Sequence, residues 1–247
     1  MTARELIGIS YSPWTEKAKW ALDHHKIPYK YSEHVIMLGM PSLWWKMKSM
    51  SGELTVPALV DGDTRICDSA AIARYADGCG ASSKLFLANK TEELGKFIEL
   101  SEKALAAGRG MVMHRIARNR DAQKESLPPF VPTAVRGACL WLVGMGLGYV
   151  DREFGVSQKK FEQHREELRQ VLTQLREALQ KNGDYVLGEF SFADIAMAAA
   201  VHPATPVSNA YVKLGPATRQ CWSDEEISKE FSDLVAWRDQ IYARHRR

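Results

Sequence analysis

The stretch from Leu6 to Leu22 places a strand directly before a helix, and this junction constrains the fold more than any other part of the chain. Leu6 to Ile9 is an apolar, partly β-branched run, and a helical pattern begins behind Ser12, with Pro13 at its first position. Ser12 is therefore predicted at a helix N-terminus, beside unpaired amides and the positive end of the helix dipole. That environment favours anions and would help to stabilise a bound thiolate. A serine here is also a common N-cap with a structural role only, and this stretch alone favours that interpretation.

Length and charge limit the classes of protein that this chain can belong to. Its 247 residues, 45% of them hydrophobic, suffice for a substantial core in one large or two modest domains. The net charge of +3 is mild, and the basic segment 244–247 is predicted to be a solvated helix end rather than a nucleic-acid site. The start lacks the pattern of a signal peptide, and no apolar run reaches the roughly 18 residues of a membrane span. We expect a soluble, cytoplasmic protein with neither a nucleic acid nor a membrane as partner.

The cysteines and histidines do not indicate a metal or redox centre. Cys67, Cys79, Cys139 and Cys221 are widely spaced and form no CxxC pair, which argues against a dithiol centre and against a zinc site. His114 has no ligand-type residue four positions further on. We expect no bound metal.

The first 80 residues have the pattern of a small α/β domain. Asp61-Gly62 is typical of a two-residue hairpin turn, and Gly78 is a predicted helix end. The predicted order is βαβαββα, with strands near 5–10, 29–35, 55–60 and 64–67 and helices near 13–26, 42–50 and 69–75.

The rest of the chain has a helical pattern. We expect domains at 1–80 and 89–247, joined by a linker at 81–88. Asn89 with Glu92 is predicted to begin the first of these helices. Gly108 and Gly110 interrupt the periodicity of that helix.

Three further patterns concern the later helices. Gly144, Gly146 and Gly148 are predicted to allow close helix packing, because no strand precedes them as a nucleotide loop requires. The capping box Ser191-x-x-Asp194 begins a helix that is apolar on nearly all faces and is stopped by Pro203. Ser223 with Glu226 is predicted to begin the last helix.

The motifs of the first domain carry a family resemblance. Ser12-Pro13-Trp14, Val56-Pro57 and Asp68-Ser69 resemble, in order and spacing, the N-terminal domain of the cytosolic glutathione transferases. The phrase SPWTEKAKWAL resembles the serine-type plant tau pattern, and the omega pattern with serine in place of cysteine. The 191–194 box and the segment FSDLVAWRDQIYAR resemble that family's C-terminal domain. The resemblance implies a thioredoxin-like α/β N-terminal domain, an all-α C-terminal domain and a cis bond before Pro57.

The resemblance also implies roles for individual residues. The hydroxyl of Ser12 would donate a hydrogen bond that lowers the pKa of the glutathione thiol. The backbone of Val56 would pair with the tripeptide, and Asp68 with Ser69 would hold its γ-glutamyl end. Capping of a helix is the structural alternative for Asp68 and Ser69. The implied glutathione site is completed by Trp14, Thr55 and Pro57, and the implied second-substrate site by Tyr11, Met111 and Arg115.

Gly108 and Met111, both in the first helix of the second domain, bear on that second-substrate site. A glycine-rich section near Gly108 would leave room for an apolar substrate across the cleft between the domains. Core packing explains Met111 equally well.

One departure from the family pattern concerns the glycyl carboxylate of glutathione. Leu54-Thr55 precede Val56, where family members often have a Lys or Gln that grips this carboxylate. Lys46 and Lys48, on the preceding helix, are the alternative candidates.

The expected function is that of a cytoplasmic, homodimeric detoxification enzyme that transfers glutathione to a small apolar electrophile. A non-catalytic ligand-binding or interaction protein of the same fold is one alternative, and another glutathione-dependent reaction, such as isomerisation, peroxide reduction or ether cleavage, is a second. Thiol transfer of the omega type is disfavoured, because serine cannot form a mixed disulfide.

Overall fold

A four-stranded mixed sheet with flanking helices forms the first part of the chain. The computed structural model describes residues 4–50, 54–128 and 130–246. The strand order is β2-β1-β3-β4; β1 pairs with β2 in parallel, whereas the β1–β3 and β3–β4 pairs are antiparallel. The elements are β1 (Glu5–Gly8), α1 (Pro13–His24), β2 (Lys30–Glu33), α2 (Met40–Met47), β3 (Ala58–Asp61), β4 (Thr64–Cys67) and α3 (Ser69–Cys79).

The later part is helical throughout its described residues, apart from turns. Its helices are α4 (Thr91–Ile116), α5 (Arg120–Ser126), α6 (Leu140–Phe154), α7 (Phe161–Asn182), α8 (Phe192–Ala200), α9 (Pro216–Trp222), α10 (Glu225–Glu230) and α11 (Ser232–His245). The predicted fold class, an α/β domain of βαβαββα order followed by helices, is confirmed. Within the described ranges, no helix combines the length and hydropathy of a membrane span.

The register of the sheet determines where the functional segments meet. Ile7 of β1 pairs with Ala58 of β3, and Ala58 pairs with Cys67 of β4. The chain leaving β1, the chain entering β3 and the chain leaving β4 therefore lie at the same end of the sheet. These segments contain Ser12, Val56-Pro57 and Asp68-Ser69.

The buried core joins both parts of the chain. One hydrophobic cluster includes Ala18 and Leu22 of α1 together with Ile195 and Met197 of α8, and all four are 0% exposed. Every residue of α8 is buried, as its apolar pattern predicts. The capping box of Ser191 and Asp194 is confirmed at the start of that helix.

The glycines of α4 do not have the predicted role. The helix continues without interruption through Gly108 and Gly110. A Cβ at Gly108 would lie 2.2 Å from Cγ of Pro203, and one at Gly110 would lie 2.3 Å from Nε2 of His164. Both positions require glycine because neighbouring side chains pack directly against the helix backbone. The expectation that this section leaves room for a substrate is therefore wrong.

Several other local predictions are also corrected. A Cβ added at Gly144, Gly146 or Gly148 would meet no atom within 4 Å, so these glycines do not mediate close helix packing. A 3-10 turn (Ala88–Lys90) leads into α4 with Lys90 at the N-cap, so Asn89 does not cap this helix.

The chain ends in two helices, where the sequence predicted one. Asp224, not Ser223, caps α10, and α11 begins only after Phe231. The prediction of a solvated end at 244–247 holds for Arg244, which is exposed, but not for Arg246, whose side chain is only 10% exposed and pairs with Glu16 and Asp23 of α1. Arg247 lies outside the described residues.

Candidate active site

Ser12 lies at the N-cap position of α1. Its amide donates to the carbonyl of Ile9 (2.9 Å), and its carbonyl accepts from the amide of Glu16 (3.0 Å). Its side chain makes no capping hydrogen bond, and the residue is partly exposed. The hydroxyl therefore lies beside the first-turn amides without being used by them. The purely structural interpretation of Ser12 lacks the hydrogen bond that defines it.

Val56 and Pro57 lie immediately before β3. The peptide bond between them is cis, as the resemblance implied. Pro57 is buried, and Val56 is partly buried against the small cluster that contains Leu43 and Met47. The β1–β3 register begins at Ala58, so the backbone of Val56 lies outside the ladder at this end of the sheet.

Asp68 and Ser69 begin α3 and differ in how their side chains are used. Asp68 has φ +80°, and one of its carboxylate oxygens accepts from the amides of Ala70 and Ala71, both at 2.9 Å. Asp68 therefore caps α3. Ser69 is 0% exposed, and its Oγ has no hydrogen-bond partner among the described residues. An unpaired buried hydroxyl costs free energy, so Ser69 is a polar group that a ligand could satisfy.

Trp14 joins α1 to α4. Its indole nitrogen donates to Oε2 of Glu102 at 2.5 Å, and Lys17 donates to the other oxygen of the same carboxylate, also at 2.5 Å. Lys17 is fully buried and also donates to the hydroxyl of Ser101 (3.3 Å). Trp14 thus fixes the helix that begins at Ser12 against α4.

Tyr11 packs against the second part of the chain. It contacts an apolar cluster formed by Val112, Leu214 and Trp222. Burial, and to a smaller extent the carboxylate of Glu33, raises the pKa of Tyr11 to about 12. The phenol is therefore protonated at neutral pH and can act as a hydrogen-bond donor.

Arg109 of α4 was not identified from the sequence. Its guanidinium carbon lies 5.2 Å from the ring centroid of Trp14 and 3.7 Å from that of Phe154. Burial lowers the pKa of Arg109 to about 10, which still leaves it charged at neutral pH. No local sequence signal distinguishes this arginine, because its importance depends on which face of α4 meets α1.

Two of the predicted second-substrate residues have structural roles. Met111 is 0% exposed within the main core, so the packing interpretation applies to it. Arg115 donates to Oδ2 of Asp224 (2.7 Å) and to the carbonyl of Cys221 (3.2 Å). Both side chains thus have packing or pairing roles within the helical region, and Tyr11 directly precedes Ser12.

Lys46 does not lie where it could bind the glycyl carboxylate of glutathione at the proposed site. Its Nζ donates to Glu5 at 2.6 Å, and Glu5 pairs with Val60 at the opposite end of the sheet. Lys48 is exposed at the C-cap of α2, and Thr55 is partly buried. Within the described part of the chain, no three His, Cys, Asp or Glu side chains are grouped to hold a metal ion.

Comparisons with known proteins agree with this fold. Residues 6–79 match the family model described as "Glutathione S-transferase, N-terminal domain". No curated protein matches the sequence. Among solved structures, glutathione transferase GSTFuA2 from Phanerochaete chrysosporium is similar, with 17% identity, a TM-score of 0.64 and coverage of 100% of this chain and 99% of that one.

Two bacterial structures are also similar at low identity. The glutathione S-transferase of Methylobacterium radiotolerans, in complex with glutathione sulfonate, has 15% identity and a TM-score of 0.62, with 98% of this chain and 92% of that chain covered. The enzyme of Methylobacillus flagellatus, with glutathione bound, has 14% identity and a TM-score of 0.60, with 97% and 95% covered. At these identities the likeness shows a shared fold.

Proposed function

We propose that this protein is a glutathione transferase that uses Ser12, because residues 6–79 match the glutathione S-transferase N-terminal domain model and the chain shares its fold with glutathione transferases. The hydroxyl of Ser12 donates a hydrogen bond to the bound thiolate. The thiolate then attacks a small electrophile with an apolar body. A new carbon–sulfur bond forms, the leaving group departs with its electron pair, and the thiol proton passes to solvent.

The free hydroxyl at the start of α1 is the observation that carries this proposal. Ser12 makes no capping bond, and the first-turn amides of α1 give the site a positive potential. A free thiol has a pKa near 8.5, and lowering it by about two units ionises most of the bound thiol at neutral pH. A hydrogen-bond donor and a helix N-terminus that act on the same sulfur both lower the pKa of its thiol.

The remaining contacts support a peptide ligand along the end of the sheet. The backbone of Val56 can pair with the cysteinyl portion as an added strand does. The unpartnered hydroxyl of Ser69, at the N-terminus of α3, suits an α-carboxylate, and the free oxygen of Asp68 suits an ammonium group. Trp14, Thr55 and Pro57 shape this surface. Glutathione in the Methylobacillus structure and glutathione sulfonate in the Methylobacterium structure support the same co-substrate here.

We also propose the organisation of the protein. Residues 1–80 form the glutathione-binding domain, 81–88 form a linker and 89–247 form the helical domain. The protein works as a cytoplasmic homodimer in detoxification.

The role of Ser12 is tested by Ser12→Ala, with Ser10→Ala as the matched control. Ser10 is exposed two residues earlier, and its hydroxyl donates to Glu33 (3.2 Å). We expect Ser12→Ala to lower kcat/KM for glutathione and an aryl halide by about 100- to 1000-fold, the range for loss of one donor to a developing anion. The pKa of bound glutathione, followed by thiolate absorbance, should rise towards about 8.5.

Two outcomes would contradict the proposal in different ways. If Ser12→Ala conjugates as fast as Ser10→Ala, the hydroxyl has no part in the reaction, and Tyr11, the neighbouring protonated donor, becomes the candidate. If calorimetry detects no glutathione binding at millimolar concentration, the fold serves a non-catalytic role instead.

A further inference from the structure

Arg109 is a partly exposed cation that forms no ion pair with the described residues. Its Nε is buried and has no hydrogen-bond partner. Among the described residues, the contacts of its guanidinium group are with two aromatic rings, those of Trp14 and Phe154. The residue as a whole is partly exposed, so part of its side chain is open to a ligand.

The nearest carboxylate does not neutralise Arg109. Glu102 lies two helical turns earlier on α4 and is bound by Lys17 and Trp14 through its two oxygens. Aromatic faces attract a guanidinium but leave its N–H donors unsatisfied. A desolvated charge is retained at a cost unless an opposite charge pairs with it. The guanidinium is also shaped for two parallel hydrogen bonds to a carboxylate.

The position of Arg109 places it beside the proposed thiolate site. Along α4, Glu102 contacts Lys17 and Trp14, Arg109 contacts Trp14, and Val112 packs with Tyr11. The helix thus runs antiparallel to segment 11–17. Ser12 therefore lies alongside the turn of α4 from Arg109 to Val112.

The surroundings of Arg109 are apolar. The rings of Trp14 and Phe154 flank its charge, and the Tyr11–Val112–Trp222 cluster continues one turn along α4. A ligand that contacts both these rings and the guanidinium needs an apolar body and one negative group. The proposed contacts of the glutathione backbone, at Val56 and at the start of α3, come instead from the end of the sheet.

We propose that Arg109 binds a carboxylate of the second substrate, so that the electrophiles of this protein are aromatic or apolar molecules carrying an anionic group. The inference rests on the proposed function and specifies its substrate class.

The first test compares two aryl chlorides that differ in charge. The pair is 4-chloro-3-nitrobenzoate and 4-chloro-3-nitrobenzamide, and each kcat/KM is divided by the uncatalysed rate with glutathione. In both reactions sulfur replaces chloride on the ring. We expect the wild-type protein to favour the carboxylate by about 10- to 100-fold, the range for hydrogen bonds to a charged group.

Substitutions in α4 test whether Arg109 causes this preference for the carboxylate. Arg109→Met should reduce the carboxylate-to-amide ratio to about one, and Arg109→Lys should retain part of it, since a charge remains without the planar fork. The matched control is Lys103→Met, which removes an exposed positive charge from the same helix. It should keep the wild-type ratio.

A binding measurement separates this inference from the proposed reaction. The unreactive pair 3-nitrobenzoate and 3-nitrobenzamide is titrated by calorimetry into Ser12→Ala and into Ser12→Ala/Arg109→Met, both saturated with S-methylglutathione. We expect the benzoate to bind about tenfold or more tightly than the amide only where Arg109 is present. This arm does not depend on turnover, so a failure of the Ser12 mechanism leaves it interpretable.

Three results would each overturn the inference. Equal affinity for the benzoate and the amide in Ser12→Ala would overturn it, as would a ratio that survives in both Arg109 variants. If Arg109→Met instead raises the KM for glutathione and leaves the ratio intact, Arg109 binds glutathione and the inference is wrong.

Discussion

Asp194 shows how one buried side chain can fix the start of a helix and the loop before it. The residue is 0% exposed. Its oxygens accept from the amides of Val186 and Ser191, both at 2.8 Å, and from the hydroxyl of Ser191 at 3.1 Å. Burial raises the pKa of Asp194 to about 6, although these donors favour the ionised form. This one carboxyl group therefore accepts the hydrogen bonds of two buried amides.

Asp194→Ala should lower the free energy of unfolding by about 2–4 kcal/mol, since it removes a cap and leaves buried amides unpaired. Asn119→Ala is the matched control. Asn119 also accepts from two amides, those of Asp121 and Ala122 (both 3.0 Å), but it caps the short helix α5. It should cost about 1 kcal/mol or less. Urea unfolding of both variants measures the difference, and equal losses would show that burial does not set the cost.

At the scale of elements, Asp224 joins three helices. It is 4% exposed, caps α10 through the amide of Ile227 (3.1 Å), and pairs with Arg115 of α4 (2.7 Å) and Arg165 of α7 (3.0 Å). Burial opposes ionisation of Asp224, but Arg165, the Ile227 amide and Arg115 outweigh it and lower its pKa. Arg115 thus has a structural partner in Asp224.

Asp224→Asn should make stability less dependent on pH. Because the pKa is lower in the folded state, the stabilisation is fully present above the unfolded value of about 3.9 and is lost as the pH falls through the folded value. We expect a deficit of about 3–5 kcal/mol at pH 7, narrowing below about pH 4. Asp184→Asn, which affects an exposed pair with Arg244, is the control and should change little. A deficit independent of pH would assign the loss to packing.

At the scale of the whole molecule, the end of the chain holds its first helix. The ring centroids of Trp20 and Tyr242 lie 4.4 Å apart, and the indole of Trp20 donates to the carbonyl of His245 (3.2 Å). Arg246 pairs with Glu16 and Asp23, both at 2.6 Å. The other end of α1 is Ser12, so the last helix helps to position the proposed active site.

Arg246→Met should destabilise the protein by about 3–5 kcal/mol, because Glu16, whose side chain is 3% exposed, loses the arginine that pairs with it. Arg244→Met removes the same charge two residues earlier, where the pair with Asp184 is exposed, and should leave the melting temperature nearly unchanged. Thermal unfolding followed by tryptophan fluorescence and by circular dichroism measures both. If both variants have the same melting temperature, the pairing of Arg246 with α1 makes no specific contribution to stability.

Local signals account for what was predictable. The capping box of Ser191 is observed, and the hairpin predicted at Asp61-Gly62 forms one residue later, with Gly62 and Asp63 between the paired residues Asp61 and Thr64. Both features depend on residues close in sequence. The cis bond before Pro57 followed from motif order rather than from local preference, and it is also observed. The assignment of Ser12, Val56 and Ser69 to glutathione remains a prediction.

The sequence by itself determined the order of strands and helices, because hydrogen bonding and hydrophobic periodicity within an element involve residues only a few positions apart. Only the tertiary structure decided that Gly108 faces Pro203, that Arg109 lies against Trp14 and that Arg246 is buried beside Glu16. Each of these contacts joins segments about 95 or more residues apart, and packing between helices, which fixes the face that each presents, is not encoded in any single stretch.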